Sequence, residues 1–223
     1  ILIHGGCWQS AINLDNIAML SAALARDGIA TYSIEYRRVG DSRWPDTFRD
    51  VGAAVDSLRD AAKAHPLDLS RVVIAGHSAG GHLALWAAAR AKLKPGSPLH
   101  DASPLLPRGV VSIAGVPDLR SAAADKVCGS AITDLVGGDT TRFSETSPLE
   151  MLPLGIPQHL VNGARDPIVV PKWGDQYLTA ARKAGDTVSL TLLPDAGHFE
   201  LIAPAKPAYA AVKQAIAAML AAK

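Results

Sequence analysis

Residues 71–90 read RVVIAGHSAGGHLALWAAAR. Arg71 to Ala75 (RVVIA) carries an apolar run, β-branched at Val72, Val73 and Ile74 and without alternation, the pattern of a strand buried on both faces in a parallel sheet. From about Ala79 to Ala91 the residues are small or apolar on nearly every side of a helix, which makes that helix internal. Between the two elements, Gly76-His77-Ser78-Ala79-Gly80 leaves room only for a sharp turn. Gly76, Gly80 and Gly81 allow the strand and helix backbones to approach closely. Ser78 is thereby lifted to the carboxyl end of the sheet, beside a helix N-terminus whose dipole favours negative charge. This is G-x-S-x-G in the strand–turn–helix setting that exposes a serine hydroxyl for attack. A phosphate loop would need the lysine of a P-loop or the spacing G-x-G-x-x-G, and neither is here.

On either side of this unit the chain alternates strand and helix. Apolar runs predict strands at residues 1–3, 29–34, 109–114, 157–161 and 188–193. Ile17, Leu20 and Leu24 predict a helix ended by Gly28, and Phe48, Val51, Val55 and Leu58 predict one continuous helix stopped by Pro66. Further helices are expected over residues 171–184 and through Tyr209, Val212, Ile216, Met219 and Leu220. Such alternation implies an α/β fold, with a mostly parallel sheet of about six strands and helices on both faces. Two irregular stretches interrupt it, residues 92–107 and the longer 117–153. No repeat or low-complexity linker divides the chain, so residues 1–223 read as a single domain. Within it, 117–153 is either a lid over the site or a surface insertion with one short helix.

Of the 223 residues, 48% are hydrophobic and 19% charged, which excludes a disordered chain. Twenty-two Lys and Arg against 21 Asp and Glu leave a net charge of +1. That is no electrostatic footprint for nucleic acid or an anionic membrane. The uncharged run 72–89 is split by its glycine turn and carries two His and a Ser, so it reads as strand plus helix rather than a membrane span. Cys7 and Cys128 are too few for a disulfide framework or a four-cysteine zinc site. They fit a reducing, cytoplasmic setting, with a single bridge between them left open. The chain begins directly in a strand, as if inside a domain, so any targeting segment would lie upstream. Nothing in the sequence calls for a metal or cofactor.

A serine nucleophile needs a base, and the base needs an orienting carboxylate. Of seven histidines, His198 follows the last strand in DAGHF (195–199), at the same sheet end as Ser78. His77 and His82 flank the turn and are expected to point away. Asp166, in GARDP (163–167), is the preferred acid, because its strand should neighbour the one leading to His198. Asp118 after the fourth strand is the alternative, and Asp195 reads as a turn residue. After the first strand, HGGCW (4–8) supplies two glycines that let backbone N–H groups face a developing oxyanion. Gly6, Cys7 and Ala79 are the expected donors, with Gly5 shaping the loop and His4 bonded to nearby backbone. The Cys7 side chain is expected to be an inert small group. Trp8, Trp44 and Trp173 either line a pocket for an aromatic substrate or pack beneath loops, and Trp86 belongs to the core.

Taken together, HGG-x-W, GHSAGG, GARDPIV and GHF resemble the α/β-hydrolase superfamily along nearly the whole chain. The resemblance implies an α/β-hydrolase fold without its first two strands, because the HGG loop normally follows the third. Within the superfamily, HGGCWQS, GHSAGGHLA and HFELI are similar to kynurenine formamidases (arylformamidases). The same features with SPLEMLPLGIPQHLVNGARDPIV resemble bacterial carboxylesterases of the feruloyl and acetyl-xylan type. The hormone-sensitive lipase branch typically has a third glycine in place of Cys7 and an acidic residue in place of His77, and this chain departs from both. The resemblance implies cofactor-free hydrolysis of small acyl or aryl esters through an acyl-enzyme, or else of a formamide. A non-catalytic binding module on the same fold is the reading from a different class.

Overall fold

The computed structural model describes residues 1–221. Its six strands are β1 (Leu2–Ile3), β2 (Ser33–Ile34), β3 (Val73–His77), β4 (Gly109–Ile113), β5 (Gln158–Gly163) and β6 (Val188–Leu193). They form one sheet in the order β2-β1-β3-β4-β5-β6, with every neighbouring pair parallel. The helices are α1 (Asp15–Arg26), α2 (Asp46–Asp56), α3 (Leu58–Ala64), α4 (Ala79–Ala88), α5 (Leu119–Ala124), α6 (Ala131–Leu135), α7 (Phe143–Thr146), α8 (Pro171–Lys183) and α9 (Ala208–Ala221).

Alternation along the strands divides the core between the two sheet faces. Ile74, Val110 and Leu160 pack with α2, α4 and α8 on one face. Val73, Val111 and Val161 pack with Ile17, Leu20 and Leu24 of α1 and with Val212 and Ile216 of α9 on the other. All ten residues of α4 are buried, as its lack of a polar face requires. Parallel strands place their carboxyl ends together, so the loops after β1, β3, β5 and β6 meet along one edge of the sheet.

Two expectations need correction. The stripe from Phe48 to Leu58 is not one helix: it breaks at Ser57 between α2 and α3. There the Ser57 hydroxyl donates to the Ala54 carbonyl at 2.8 Å, a local bond that competes with the helical ladder. Residues 117–153 hold three short helices and two 3-10 turns (Thr140–Arg142 and Pro148–Met151) rather than one helix. Asp118 and Asp139 start two of these pieces, accepting from the N–H groups of Arg120 and Thr141 at 3.0 and 3.1 Å, as capping aspartates do. No helix among the described residues is long and apolar enough to cross a membrane.

Candidate active site

The turn after β3 has no spare volume. Ser78 stands at φ 56° and ψ −120°, a conformation that L residues adopt at a cost of about 1–3 kcal/mol. It is held because both flanks are in contact. A Cβ on Gly81 would lie 2.6 Å from Gly115 Cα, and one on Gly80 would run into the carbonyls of Ile3 and His4. The Ser78 N–H donates to Ile113 O at 2.9 Å, and the Ser78 carbonyl accepts from His82 N–H at 3.1 Å to start α4. The hydroxyl therefore sits at the sheet's carboxyl edge, over the helix N-terminus.

The loops after β5 and β6 bring Asp166 and His198 together. Asp166 Oδ2 accepts from His198 Nδ1 at 2.7 Å, and both residues are buried. Asp166 Oδ1 accepts from the N–H groups of Ile168 and Val169 at 2.8 and 2.9 Å. Burial pushes this carboxyl up, but the His198 hydrogen bond and charge, with the two backbone donors, outweigh it and hold it below its ordinary value. An ionised Asp166 fixes the proton of His198 on Nδ1, which leaves Nε2 as the acceptor. Asp118, the alternative acid, is engaged as the cap of α5. Asp195 pairs with Arg165 at the surface.

No hydrogen bond joins the Ser78 hydroxyl to His198 among the described residues. His77, the residue before the serine, packs against His198. Its ring lies 4.5 Å from that of His198, centroid to centroid, and its Nε2–H donates to the His198 carbonyl at 3.1 Å. The expectation that His77 points away is thus wrong. Counting by twos along β3 finds it: His77 shares a sheet face with Val73 and Ala75, where Ala196 and Leu201 also pack. Burial, and secondarily the charge of His198, lower the His77 pKa to about 3, so this ring is neutral. His82 does point away. Its Nε2–H donates to Thr146 O at 2.8 Å, and burial lowers its pKa to about 4.

The loop after β1 lies directly against the serine turn: a Cβ on Gly5 would sit 3.0 Å from His77 Nδ1 and 3.1 Å from Ser78 Cβ. The N–H groups of Gly6, Cys7 and Ala79 have no partner among the described residues, which leaves them available to a ligand oxygen. His4 faces the Gly5 carbonyl with one ring nitrogen and Glu35 with the other, each at 2.7 Å. It also stacks on Tyr36, whose hydroxyl donates to the His4 carbonyl at 3.0 Å.

The tryptophans separate. Trp8 lines no pocket: it is fully buried, and its indole N–H donates to His82 Nδ1 at 3.1 Å. Trp173 is likewise packed into the core from α8. Trp44 is partly exposed, edge-on to Phe48 and beneath the Arg142 guanidinium at 4.8 Å. Trp86 is core, as expected. The Cys7 side chain is not a free inert thiol either. It is disulfide-bonded to Cys128, with the two Cα atoms 5.6 Å apart, an ordinary span for such a bridge.

A family model described as BD-FAE matches residues 1–178, a span that contains the 4–8 loop, Ser78 and Asp166. Esterase LipC of Mycobacterium tuberculosis (strain ATCC 25618 / H37Rv) is 29% identical over 220 residues, covering 91% of this chain and 53% of that protein. The chain spans about half the length of the curated relatives it matches. Esterase B from Lactobacillus rhamnosis, in a structure with a tributyrin phosphonate, superposes with a TM-score of 0.84 at 20% identity, over 98% of this chain and 75% of that one. A truncated carbohydrate esterase from gut microbiota gives a TM-score of 0.81 at 21% identity, over 99% and 85%. These likenesses show the fold, an α/β-hydrolase sheet. With the larger part of its length matched by one family model, the chain belongs to the BD-FAE family.

Proposed function

We propose that this chain is a serine hydrolase of small carboxylic esters, with Ser78 as nucleophile, His198 as base, Asp166 as its orienting acid and Gly6, Cys7 and Ala79 as oxyanion donors. The observation that carries the reading is the buried Asp166–His198 pair at 2.7 Å, packed through His77 against the strained turn that bears Ser78. His198 Nε2 takes the Ser78 proton as Oγ attacks the acyl carbon, and the imidazolium is stabilised by Asp166. The carbonyl oxygen gains negative charge and is met by preorganised N–H donors. Collapse expels the alcohol, protonated by His198. Water, deprotonated by the same ring, then releases the acid and restores Ser78.

Formamide hydrolysis would use the same groups, and the esterase names of the relatives favour the ester. The tryptophan argument for an aromatic substrate loses Trp8 and Trp173 to the core and retains only Trp44. Residues 117–153 act as a fixed wall beside the site. Their carbonyls at Thr146 and Glu145 are held by His82 and Trp86, and Cys128 is bonded to Cys7. That bridge fits an oxidising compartment better than the cytoplasm.

Ser78→Ala tests the reading. Hydrolysis of p-nitrophenyl acetate should fall by about 10⁴-fold or more in kcat, and fluorophosphonate labelling should vanish, with circular dichroism and melting unchanged. Turnover that survives this substitution would refute the assignment.

A further inference from the structure

The Cys7–Cys128 bridge joins the loop after β1 to the turn between α5 and α6, 121 residues apart in sequence. Gly6, Cys7 and Trp8 stand consecutively at φ values of 110°, 55° and 55°. Glycine takes such angles freely, but cysteine and tryptophan do not. Strain of this kind persists only where the surroundings over-determine it. Trp8 is fixed by burial and by its bond to His82. The Gly6 carbonyl accepts from Gln9 N–H at 2.9 Å, and the Ile12 side chain closes the space beneath Gly6. Among the described residues, the Cys7 side chain has one anchor, its bridge.

The other end of that bridge is firmly seated. Cys128 lies in a left-handed turn of its own, with Lys126, Cys128 and Gly129 at φ 54°, 61° and 66°. The segment that carries it is anchored to α4 by the Thr146 and Glu145 carbonyls. It is closed at its base by Leu149 N–H on Pro117 O at 2.9 Å. Through Cys7, the 4–8 loop is therefore tied to an independently built support.

We propose that Cys128 is a positioning residue: through its disulfide it holds the Cys7 peptide left-handed, so that the N–H groups of Gly6 and Cys7 face the oxygen of the reacting carbonyl. The inference rests on the assignment of those donors under Proposed function. Neither sulfur touches the substrate. Opening the bridge leaves the serine, base and acid in place and lets the donor loop relax. The donors matter most when charge develops on the oxygen, so the loss falls on kcat rather than KM. Reduction by dithiothreitol is a balanced exchange. One of its thiolates displaces a cysteine sulfur, its second thiol closes the ring, and two electrons and two protons pass to the protein as two thiols.

The experiment compares the oxidised protein, the protein reduced with dithiothreitol, and Cys128→Ser, all on p-nitrophenyl acetate, with melting curves to show that each is folded at the assay temperature. Reduction is expected to lower kcat by about tenfold or more with KM within about twofold. Reoxidation with oxidised glutathione should restore it. Cys128→Ser should show the lowered kcat without reductant and no response to it. If that variant does not fold, the reversible reduction of the wild type decides. Unchanged kcat in protein that titrates with two free thiols overturns the proposal, as do two free thiols in untreated, denatured protein. Activity that dies in Ser78→Ala yet ignores reductant refutes this inference alone. An oxidised wild type that neither turns over esters nor labels with fluorophosphonate removes the site reading and this inference with it.

Discussion

The turn at residues 76–81 and the loop at residues 4–8 touch each other across the site, and they are built in opposite ways. The turn is local. Its shape follows from glycines that β1 and β4 press against from either side, and the residues that define it are contiguous. The loop is held from a distance: by Tyr36 on the His4 carbonyl, by His82 on the Trp8 indole and by Cys128 on Cys7. Both segments carry non-glycine residues at positive φ. Strain at the turn is enforced by the absence of volume, and strain in the loop by side chains that reach it from three other segments. Substitutions should therefore act differently on the two, abruptly at the turn and gradually along the loop.

The largest effect is expected for Gly80→Ala. The added methyl would occupy the space of the Ile3 and His4 carbonyls, and backbone that is part of a sheet has nowhere to move. A loss of about 3 kcal/mol or more in urea unfolding is expected. A loss below about 1 kcal/mol would break the claim that the turn depends on close backbone approach. Trp8→Phe is the matching change in the loop. It keeps an aromatic body in the core but leaves His82 Nδ1 without its donor, with an expected loss of about 2 kcal/mol. Because Trp8 adjoins Cys7, kcat should fall several-fold as well, whereas a purely structural Trp8 would lower stability alone.

The two histidines beside Ser78 give the comparison a pH axis. His82 and His77 have folded pKa values of about 4 and about 3, both lowered first by burial, against 6.5 for the free imidazole. The unfolded chain thus takes up these protons first as pH falls, so stability is full above 6.5 and declines below it. The decline runs towards about 4 for His82 and about 3 for His77, at up to ~1.4 kcal/mol per pH unit for each ring. His82→Gln, whose amide can replace one of the two bonds, should remove one ring's share of that slope. Equal slopes in the two proteins would show that His82 is not held neutral by the fold.

What the sequence makes legible follows the same division. The central strands are read at the right places because buried parallel strands are apolar runs, the half-exposed edge strand β6 is read because it keeps apolar residues at Val188, Leu190, Leu192 and Leu193, and the Asp166–His198 contact is reachable because β5 and β6 are consecutive and adjacent. The ends are less legible. The run 29–34 pairs only at Ser33–Ile34, and β3 extends to His77, two residues beyond the apolar run. His77 is hidden because glycines interrupt the hydrophobic pattern, although strand parity places it. The fate of Trp8 and Cys7 is set by partners 74 and 121 residues away. Neither periodicity nor turn chemistry carries information over that separation, so both read as pocket or filler until the partners are seen.

The smallest effect belongs to the outer end of the loop. Glu35 accepts from His4 Nε2 at 2.7 Å, from Tyr36 N–H at 3.0 Å and from Leu14 N–H at 3.0 Å, and it also pairs with Arg38. Burial raises its pKa, but the Tyr36, His4 and Leu14 donors together bring it below its ordinary 4.5. A folded value below the unfolded one means stability that is present above 4.5 and lost as pH drops past it. The carboxylate is 43% exposed, so solvent screens most of this, and Glu35→Gln should lower stability at pH 7 by less than about 1 kcal/mol. The gap between wild type and variant should narrow as pH falls below 4.5 and the carboxylate takes up its proton. The loop's geometry at Cys7 is fixed by Trp8 and the bridge, so kcat should change by less than about threefold. A larger drop in kcat would mean that His4, and not the distant anchors, sets the donor loop.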